Sequence, residues 1–189
     1  MHPDSTITVD QAYPQRIAEA ALRAGTFVAP FKRERLTWIK PSFLGMMYRC
    51  GWASKPDQER VLRIEIDRTG FERAPAHAAL SHFRPGVHAD HDQWRAQVAA
   101  SPVRVQWDPD RSVPLEPQPW RAVQVGLSGE TVDRYVDDWI VDLTDVTELA
   151  RSTHSAVLDG RIEEAGRPLP VERPYPLPEA IRRRLGADG

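Results

Sequence analysis

The sequence contains one cysteine, Cys50, and no apolar run that approaches the length of a membrane span. A single cysteine rules out an internal disulfide and a cysteine-based zinc cluster. A membrane span needs about 20 consecutive apolar residues, and the N-terminal stretch MHPDSTITVD also lacks the apolar centre of a signal peptide. These absences predict a cytoplasmic protein with no membrane partner.

An excess of charge of one sign is lacking as well, since the formal net charge is −2. A nucleic-acid partner would therefore need a local basic patch, because phosphate groups are neutralised locally. Zinc-type spacing is also missing among the histidines, which offer no HExxH motif and no pair at i, i+4. We therefore expect a histidine-rich surface loop and no metal site around His77, His82, His88 and His91.

The composition, with 41% hydrophobic and 28% charged residues in 189, is that of a soluble globular protein large enough for one domain. Alternating and β-branched stretches predict strands at 6–9, 36–39, 60–66, 102–107, 121–127 and 139–143. Helical periodicity and capping residues predict helices at 15–24, 41–51, 92–100, 128–138 and 145–158, and a weaker helix at 69–80. Proline-rich stretches predict a loop at 109–119 and an extended tail from about 165. This order predicts a single α+β domain over 1–189, with a mixed, mostly antiparallel sheet and flanking helices.

The segment at 31–52, FKRERLTWIKPSFLGMMYRCGW, combines basic and aromatic residues with a predicted helix start. Helical geometry places two sets on opposite sides, a broad arc of Phe43, Leu44, Met46, Met47, Tyr48 and Cys50 and a stripe of Ser42, Gly45 and Arg49. Lys40 lies just before the helix, where unpaired backbone N–H groups and the helix dipole favour an anion. The segment therefore predicts a phosphate or carboxylate site at Lys40, Ser42 and Arg49. The alternative is a core helix whose polar stripe faces solvent.

A second candidate site is the stretch VQWDPDR, where Gln106, Trp107 and Asp108 end a predicted strand and Arg111 follows. Polar groups at strand ends often build sites, because a rigid sheet holds the loops that carry them. The alternative is a turn capped by Asp108 with a salt bridge to Arg111. Arg121, at the start of the next predicted strand, is the further ligand-binding candidate.

Five stretches carry a resemblance to one family, namely VDQAY (9–13), RERLTWIKPSFLGMMYRCGW (33–52), SPVRVQWDPDR (101–111), RAVQVGLSGETVDRYVDDWIVDLTDVT (121–147) and ERPYPLP (172–178). Together they cover most of the chain, which resembles the bacterial and fungal family catalogued as domain of unknown function 4291. The resemblance implies no particular activity. The chain differs from the family pattern at Gly45, where a tryptophan is usual, and this difference implies a roomier or differently lined site.

The first functional hypothesis is an enzyme acting on a nucleotide or another phosphate-bearing substrate. Its specific form is a transferase like the ADP-ribosyltransferases with NAD as cofactor, by analogy with an early strand–helix unit and a late strand followed by a glutamate. In that form Glu130 is the catalytic carboxylate, and Gln11 and Tyr13 on the first strand hold the ribose or the amide. A structural role for Glu130 in the first turn of a helix is the alternative.

Two other hypotheses remain open. A nucleic-acid-binding or modifying protein would use Lys32, Arg33, Arg35, Lys40 and Arg49 as a phosphate track, with Trp38 as a stacking surface. A non-catalytic module that binds a small anion would use the same basic residues without turnover. The oligomeric state stays open in each case.

Overall fold

A computed structural model describes residues 5–187 of the chain. Its strands are β1 (Thr6–Tyr13), β2 (Thr37–Ile39), β3 (Arg60–Asp67), β4 (Ala79–Leu80), β5 (Val103–Arg111), β6 (Pro117–Leu127) and β7 (Ile140–Asp145). Its helices are α1 (Gln15–Ala24), α2 (Phe43–Cys50), α3 (Arg68–Ala76), α4 (His91–Ala100), α5 (Glu130–Arg134), α6 (Thr147–Leu158), α7 (Ile162–Gly166) and α8 (Glu179–Arg184). A π-helical turn, Tyr135–Trp139, continues α5. The α+β class predicted from the sequence is confirmed.

The strands form two sheets. The first sheet has the order β1-β3-β7 and is antiparallel throughout, and the second has the order β2-β6-β5-β4 with one parallel pair, β4 with β5. The alternation in β3 follows the sequence pattern, because Leu62, Ile64 and Ile66 are all fully buried on one face. The expected mostly antiparallel pairing is therefore present, but it is divided between two sheets.

Two clusters of buried apolar residues stabilise the fold. The larger cluster contains Leu62, Ile64 and Ile66 of β3 together with residues of both sheets. The smaller cluster packs α2 against the other face of the first sheet and α6, through Phe43, Met47, Val61 and Ala150. Burial of this kind contributes about 25 cal/mol for each Å² of apolar surface removed from water. The first sheet thus has an apolar face and a face shared between α2 and polar side chains.

The hairpin of β5 and β6 differs from the sequence prediction. β5 continues through Pro109 to Arg111, and β6 begins at Pro117, so the loop covers only 112–116 of the predicted 109–119. The pairing register shifts between Pro109 and Arg111, which forms an irregularity of the kind that accommodates proline in a strand.

Three other predictions of secondary structure are corrected. Gly129 precedes α5, and the Ser128 hydroxyl instead donates to the Pro102 carbonyl, so Ser128 is not the predicted N-cap. The predicted helix at 69–80 ends at Ala76, and residues 79–80 form β4. α7 was not predicted, since its five residues are too short for a clear period.

The C-terminal segment packs back onto the domain. Tyr175 donates a hydrogen bond to Glu72 of α3 at 2.5 Å, and the Leu185 carbonyl accepts one from the Trp107 indole at 2.8 Å. Over residues 5–187, no helix is both long and apolar enough to cross a bilayer.

Candidate functional site

The start of α2 lies where the two sheets meet. A short backbone bridge joins β1 to the end of β2, with the Asp10 N–H donating to the Lys40 carbonyl at 2.7 Å and the Lys40 N–H to the Asp10 carbonyl at 3.3 Å. Ser42 follows in extended conformation, and its hydroxyl oxygen accepts from the Gly45 N–H at 3.1 Å. Ser42 is therefore a true N-cap, and it fixes the direction of the helix against the bridge.

Helix α2 buries most of the arc expected from its period. Phe43, Met46, Met47 and Cys50 are buried, as predicted, but Tyr48 is 52% exposed, so its placement on the buried arc is wrong. The Arg111 guanidinium lies 3.5 Å from the centre of the Tyr48 ring, which accounts for the outward position.

Lys40 begins a chain of polar contacts that reaches the second sheet. Its Nζ lies 3.1 Å from Asp108 Oδ2, and the side chain of Gln106 donates to the other Asp108 oxygen at 2.9 Å. The Gln106 carbonyl oxygen accepts from the Ser81 hydroxyl at 3.4 Å. Burial lowers the pKa of Lys40, and the bond to Asp108 opposes this shift. The alternative of a turn with an Asp108–Arg111 salt bridge does not hold. Asp108 lies within β5, and its carboxylate pairs with Lys40.

A second polar chain starts at the N-cap itself. The Ser42 hydroxyl donates to Asp110 Oδ1 at 2.8 Å, and the same oxygen accepts from the Arg111 N–H at 2.9 Å. The Trp120 indole donates to the other oxygen of Asp110 at 3.1 Å. This contact links β6 to the start of α2. Strand β5 therefore provides two aspartates, Asp108 and Asp110, that contact the residues at the start of α2.

The N-terminus of α2 already binds a carboxylate. Oε1 of Glu172, which comes from the C-terminal segment, accepts from the Phe43 N–H at 2.7 Å. Crowding of the Glu172 carboxyl by surrounding protein raises its pKa, the bond to Phe43 opposes that shift, and Asp110 adds to it. A negatively charged group thus occupies the position where the helix dipole favours an anion.

Asp10 and Arg63 lie beside this position on the first sheet. They are directly opposed in the β1–β3 pair, and Arg63 Nε is 3.7 Å from Asp10 Oδ1. The Arg63 guanidinium also lies over the Phe43 ring, 5.5 Å from its centre. Burial raises the pKa of Asp10 to about 7, with Arg63 opposing the shift and Glu172 adding to it.

Gln11 and Tyr13, the predicted ribose- or amide-holding residues, belong to a hydrogen-bonded group in the larger core. The Gln11 amide donates to the Tyr13 hydroxyl at 3.0 Å and to the Trp38 carbonyl at 2.8 Å. Its carbonyl oxygen accepts from the Tyr135 hydroxyl at 2.8 Å. Both side chains are therefore held by protein partners in this structure.

The other predicted site residues lie apart from the start of α2. Arg35, Arg121 and Glu130 are exposed, on the loop before β2, on β6 and in the first turn of α5. Trp38 lies across β6 at Gly126, where an added Cβ would approach its ring to 3.1 Å. Trp107 points towards the C-terminal segment. Of the predicted set, the structure brings together Lys40, Ser42, Gln106, Asp108 and Arg111. Arg49 lies close enough for its charge to lower the pKa of Lys40.

The predicted nucleic-acid track is partly neutralised. Both terminal nitrogens of the Arg33 guanidinium donate to Asp137 at 2.6 Å, and Nη1 also contacts Asp133 at 3.3 Å. A guanidinium that is bound to carboxylates has less to offer a phosphate.

Sequence reasoning missed four residues that surround the helix start, namely Asp10, Arg63, Asp110 and Glu172. A signal was present for three of them, because Asp10, Asp110 and Glu172 lie inside the stretches VDQAY, SPVRVQWDPDR and ERPYPLP. Arg63 occupies a charged position in an alternating strand, and such positions are typical of any half-exposed strand face, so the pattern did not indicate a site.

Two shallow clefts lie elsewhere. One of about 540 Å³ is lined by residues of α6 and α7, and one of about 320 Å³ lies beside Arg60 and Asp145. In the part of the chain that the structure describes, no group of three or more histidine, cysteine, aspartate or glutamate side chains is arranged to hold a metal ion.

Gly45 packs closely against the N-cap serine. A Cβ added there would lie 3.2 Å from the Ser42 hydroxyl oxygen, closer than most real contacts of a Cβ. A larger residue at this position would therefore press on the serine that holds Asp110.

Comparison with known proteins gives one match. The profile of the family described as Domain of unknown function (DUF4291) matches residues 1–175, which include the helix start, both polar chains and Glu172. No curated protein and no solved structure matches the chain. Since the match covers most of its length, the chain belongs to the DUF4291 family.

Proposed function

We propose that this protein binds a phosphate-bearing small molecule, with nucleotides as the main class, at the start of α2 and acts on it as an enzyme. The observation that carries the proposal is the Glu172 carboxylate on the Phe43 N–H. A carboxylate from 129 residues away is held where backbone donors and the helix dipole favour a negative group. The position is therefore suited to anions, and a phosphate carries more charge than the carboxylate it would replace.

Glu172 is a replaceable occupant. The stretch between Gly166 and Glu179 contains neither helix nor strand in the described chain, so Glu172 is not held by a regular element. When Glu172 leaves, the Phe43 N–H becomes available to a ligand, Arg49 provides positive charge nearby, and Lys40 offsets the negative charge of Asp108. Each favourable charge at a helix N-terminus contributes about 0.3–1 kcal/mol when exposed and more when partly buried.

The enzymatic part of the proposal rests on the carboxyl groups around the anion position. Asp10 has a raised pKa because burial disfavours its charged form, and the protein that surrounds the Glu172 carboxyl raises its pKa as well. Carboxyl groups whose pKa is moved towards neutrality can exchange protons with a substrate, and they are typical of catalytic sites.

The proposal is tested by isothermal titration with inorganic phosphate, pyrophosphate and a panel of nucleoside mono- and diphosphates at fixed ionic strength. Glu172→Gln is expected to tighten binding several-fold, because the competing charge is removed. Lys40→Ala is expected to weaken it about tenfold, whereas Lys32→Ala, an exposed lysine in the preceding loop, should change little.

A negative result is equally clear. The proposal falls if none of these compounds binds to folded protein, or if Lys32→Ala weakens binding as much as Lys40→Ala. Thermal unfolding of each variant separates loss of binding from loss of fold, since Lys40→Ala leaves the Asp108 carboxylate without its ammonium partner.

Two more specific predictions remain to be tested. NAD-dependent transfer through Glu130, Gln11 and Tyr13 requires NAD binding and loss of any transferase activity in Glu130→Gln. Nucleic-acid binding requires salt-dependent association with RNA or single-stranded DNA that Arg35→Ala weakens. If phosphate compounds bind without turnover, the non-catalytic anion-binding module is the better description.

A further inference from the structure

Asp10 and Arg63 are buried polar groups whose hydrogen bonds are incomplete. Among residues 5–187, Asp10 Oδ1 and the Nε and Nη2 atoms of Arg63 have no hydrogen-bond partner, although all three atoms are buried. Arg63 Nε and Asp10 Oδ1 are 3.7 Å apart, which is close enough for an ion pair but too far for a hydrogen bond. Buried polar atoms are nearly always paired, so this arrangement needs a reason.

These atoms lie beside the anion position described above. The Arg63 guanidinium rests over the Phe43 ring, and the N–H of Phe43 is the donor that holds Glu172. The backbone of Asp10 is bonded to that of Lys40, three residues before Phe43. A ligand bound at the start of α2 would therefore have these unpaired atoms at its side.

The unpaired atoms define the chemistry of a matching group. The two nitrogens of Arg63 can only donate, and the oxygen of a charged Asp10 can only accept. A hydroxyl accepts from the guanidinium and donates to the carboxylate at the same time. A second phosphate would be repelled by Asp10, and an ammonium group would be repelled by Arg63.

We propose that Asp10 and Arg63 form a subsite for a hydroxyl group of the ligand that binds at the start of α2. The ligand class is then a phosphorylated sugar or polyol, of which the ribose phosphate of a nucleotide is one example. This inference rests on the proposed function, because it assumes that the phosphate replaces Glu172.

The test compares ligands that differ only in hydroxyl groups. Glycerol 3-phosphate is compared with propyl phosphate, and ribose 5-phosphate with 2-deoxyribose 5-phosphate, by isothermal titration, with inorganic phosphate as reference. Wild-type protein is expected to prefer the hydroxylated member of at least one pair by about tenfold, since sites built for a hydroxyl reject the analogue that lacks it.

Variants assign that preference to the subsite. In Asp10→Asn and Arg63→Gln the preference, which is the ratio of the two affinities within each pair, should fall below about threefold. The affinity for inorganic phosphate serves to show that the anion position still binds, and it is expected to shift in both variants because both charges lie close to Glu172. Glu65→Gln is the matched control, because it removes a charge from the same face of β3 two residues away, and it should keep the wild-type preference. Circular dichroism and thermal unfolding confirm the fold of each variant, and Arg63→Gln serves alone if Asp10→Asn does not fold.

The outcomes separate the two proposals. If inorganic phosphate binds and the wild-type protein treats both members of each pair alike, the subsite is overturned and the proposed function stands. If the preference persists in the folded variants, the hydroxyl is bound elsewhere and the subsite is likewise overturned. If no phosphate compound binds at all, both proposals fall.

Discussion

Two adjacent residues of β1, Asp10 and Gln11, show how differently this protein treats buried polar groups. They are 2% and 3% exposed, and their side chains point to opposite faces of the first sheet. Gln11 makes three hydrogen bonds, to Tyr13, Trp38 and Tyr135. Oδ1 of Asp10 makes none within residues 5–187.

The difference indicates two separate roles. A buried amide whose donors and acceptor are all used stabilises one arrangement of the core, and it has nothing left for a ligand. A buried carboxyl with an unused oxygen destabilises the fold in its charged form, and natural sequences keep such groups mainly where they are used. The hydrogen bonds of Gln11 therefore stabilise the fold, and Asp10 belongs to the proposed site.

The largest effect that tests this contrast is the pH dependence of stability caused by Asp10. Its pKa is about 7 in the folded protein, against an ordinary value of 3.8, so the folded state holds a proton that the unfolded state has released. The stabilising contribution of the protonated Asp10 carboxyl is therefore fully present below about pH 4, and it is lost as the pH rises to about 7. About three pKa units correspond to roughly 4 kcal/mol. Relative to Asp10→Asn, the wild-type free energy of unfolding should fall by about that amount between pH 4 and pH 8.

Urea unfolding at four pH values measures this effect, and the difference between wild type and variant removes the contribution of the titrating groups that do not interact with Asp10. Glu65→Gln, on the same face of the first sheet, is again the control. A difference for Asp10→Asn that stays constant from pH 4 to pH 8 would show that Asp10 is charged throughout, and the contrast would then lose its energetic basis.

The next largest effect is expected from the other face of the strand. Gln11→Ala removes three hydrogen bonds and leaves Tyr13, Tyr135 and the Trp38 carbonyl without those partners. We expect a loss of about 3 kcal/mol in the free energy of unfolding, since each orphaned buried group costs about 1–3 kcal/mol and part of that cost relaxes. Urea unfolding at pH 7 measures it. A loss below about 1 kcal/mol would mean that water reaches this part of the core.

Much of the fold could be predicted from local pattern. The bounds of α1 were predicted residue for residue, because Pro14 and Gly25 mark both of its ends. β3 was found from the alternation of Leu62, Ile64 and Ile66. Both strands of the β5–β6 hairpin were predicted, at 102–107 and 121–127, but their extension to Arg111 and from Pro117 was not. Proline usually ends a strand, and the pairing irregularity at Pro109 explains its presence here.

The candidate site was predicted from residues that lie close together in the sequence, and the residues that reach it from distant parts of the chain were missed. Lys40 and Ser42 follow from the signals of a helix start, which lie within a few residues of one another. Arg63 and Glu172 reach the same place through strand pairing and through the return of the C-terminal segment. Contacts between residues this far apart in the sequence leave no local pattern, so a single sequence could not show that these residues meet.

The smallest effect concerns which tyrosine of the Gln11 group matters more. Tyr135→Phe removes the hydroxyl that donates to the Gln11 carbonyl oxygen, whereas Tyr13→Phe removes an acceptor from an amide that still donates to the Trp38 carbonyl. We expect Tyr135→Phe to cost about 1.5 kcal/mol and Tyr13→Phe about 0.5 kcal/mol, because only the first leaves a buried atom of Gln11 without its partner. Thermal and urea unfolding of both variants measure the difference. Equal losses would show that the group does not depend on full satisfaction of Gln11, and its contrast with Asp10 would then be one of charge alone.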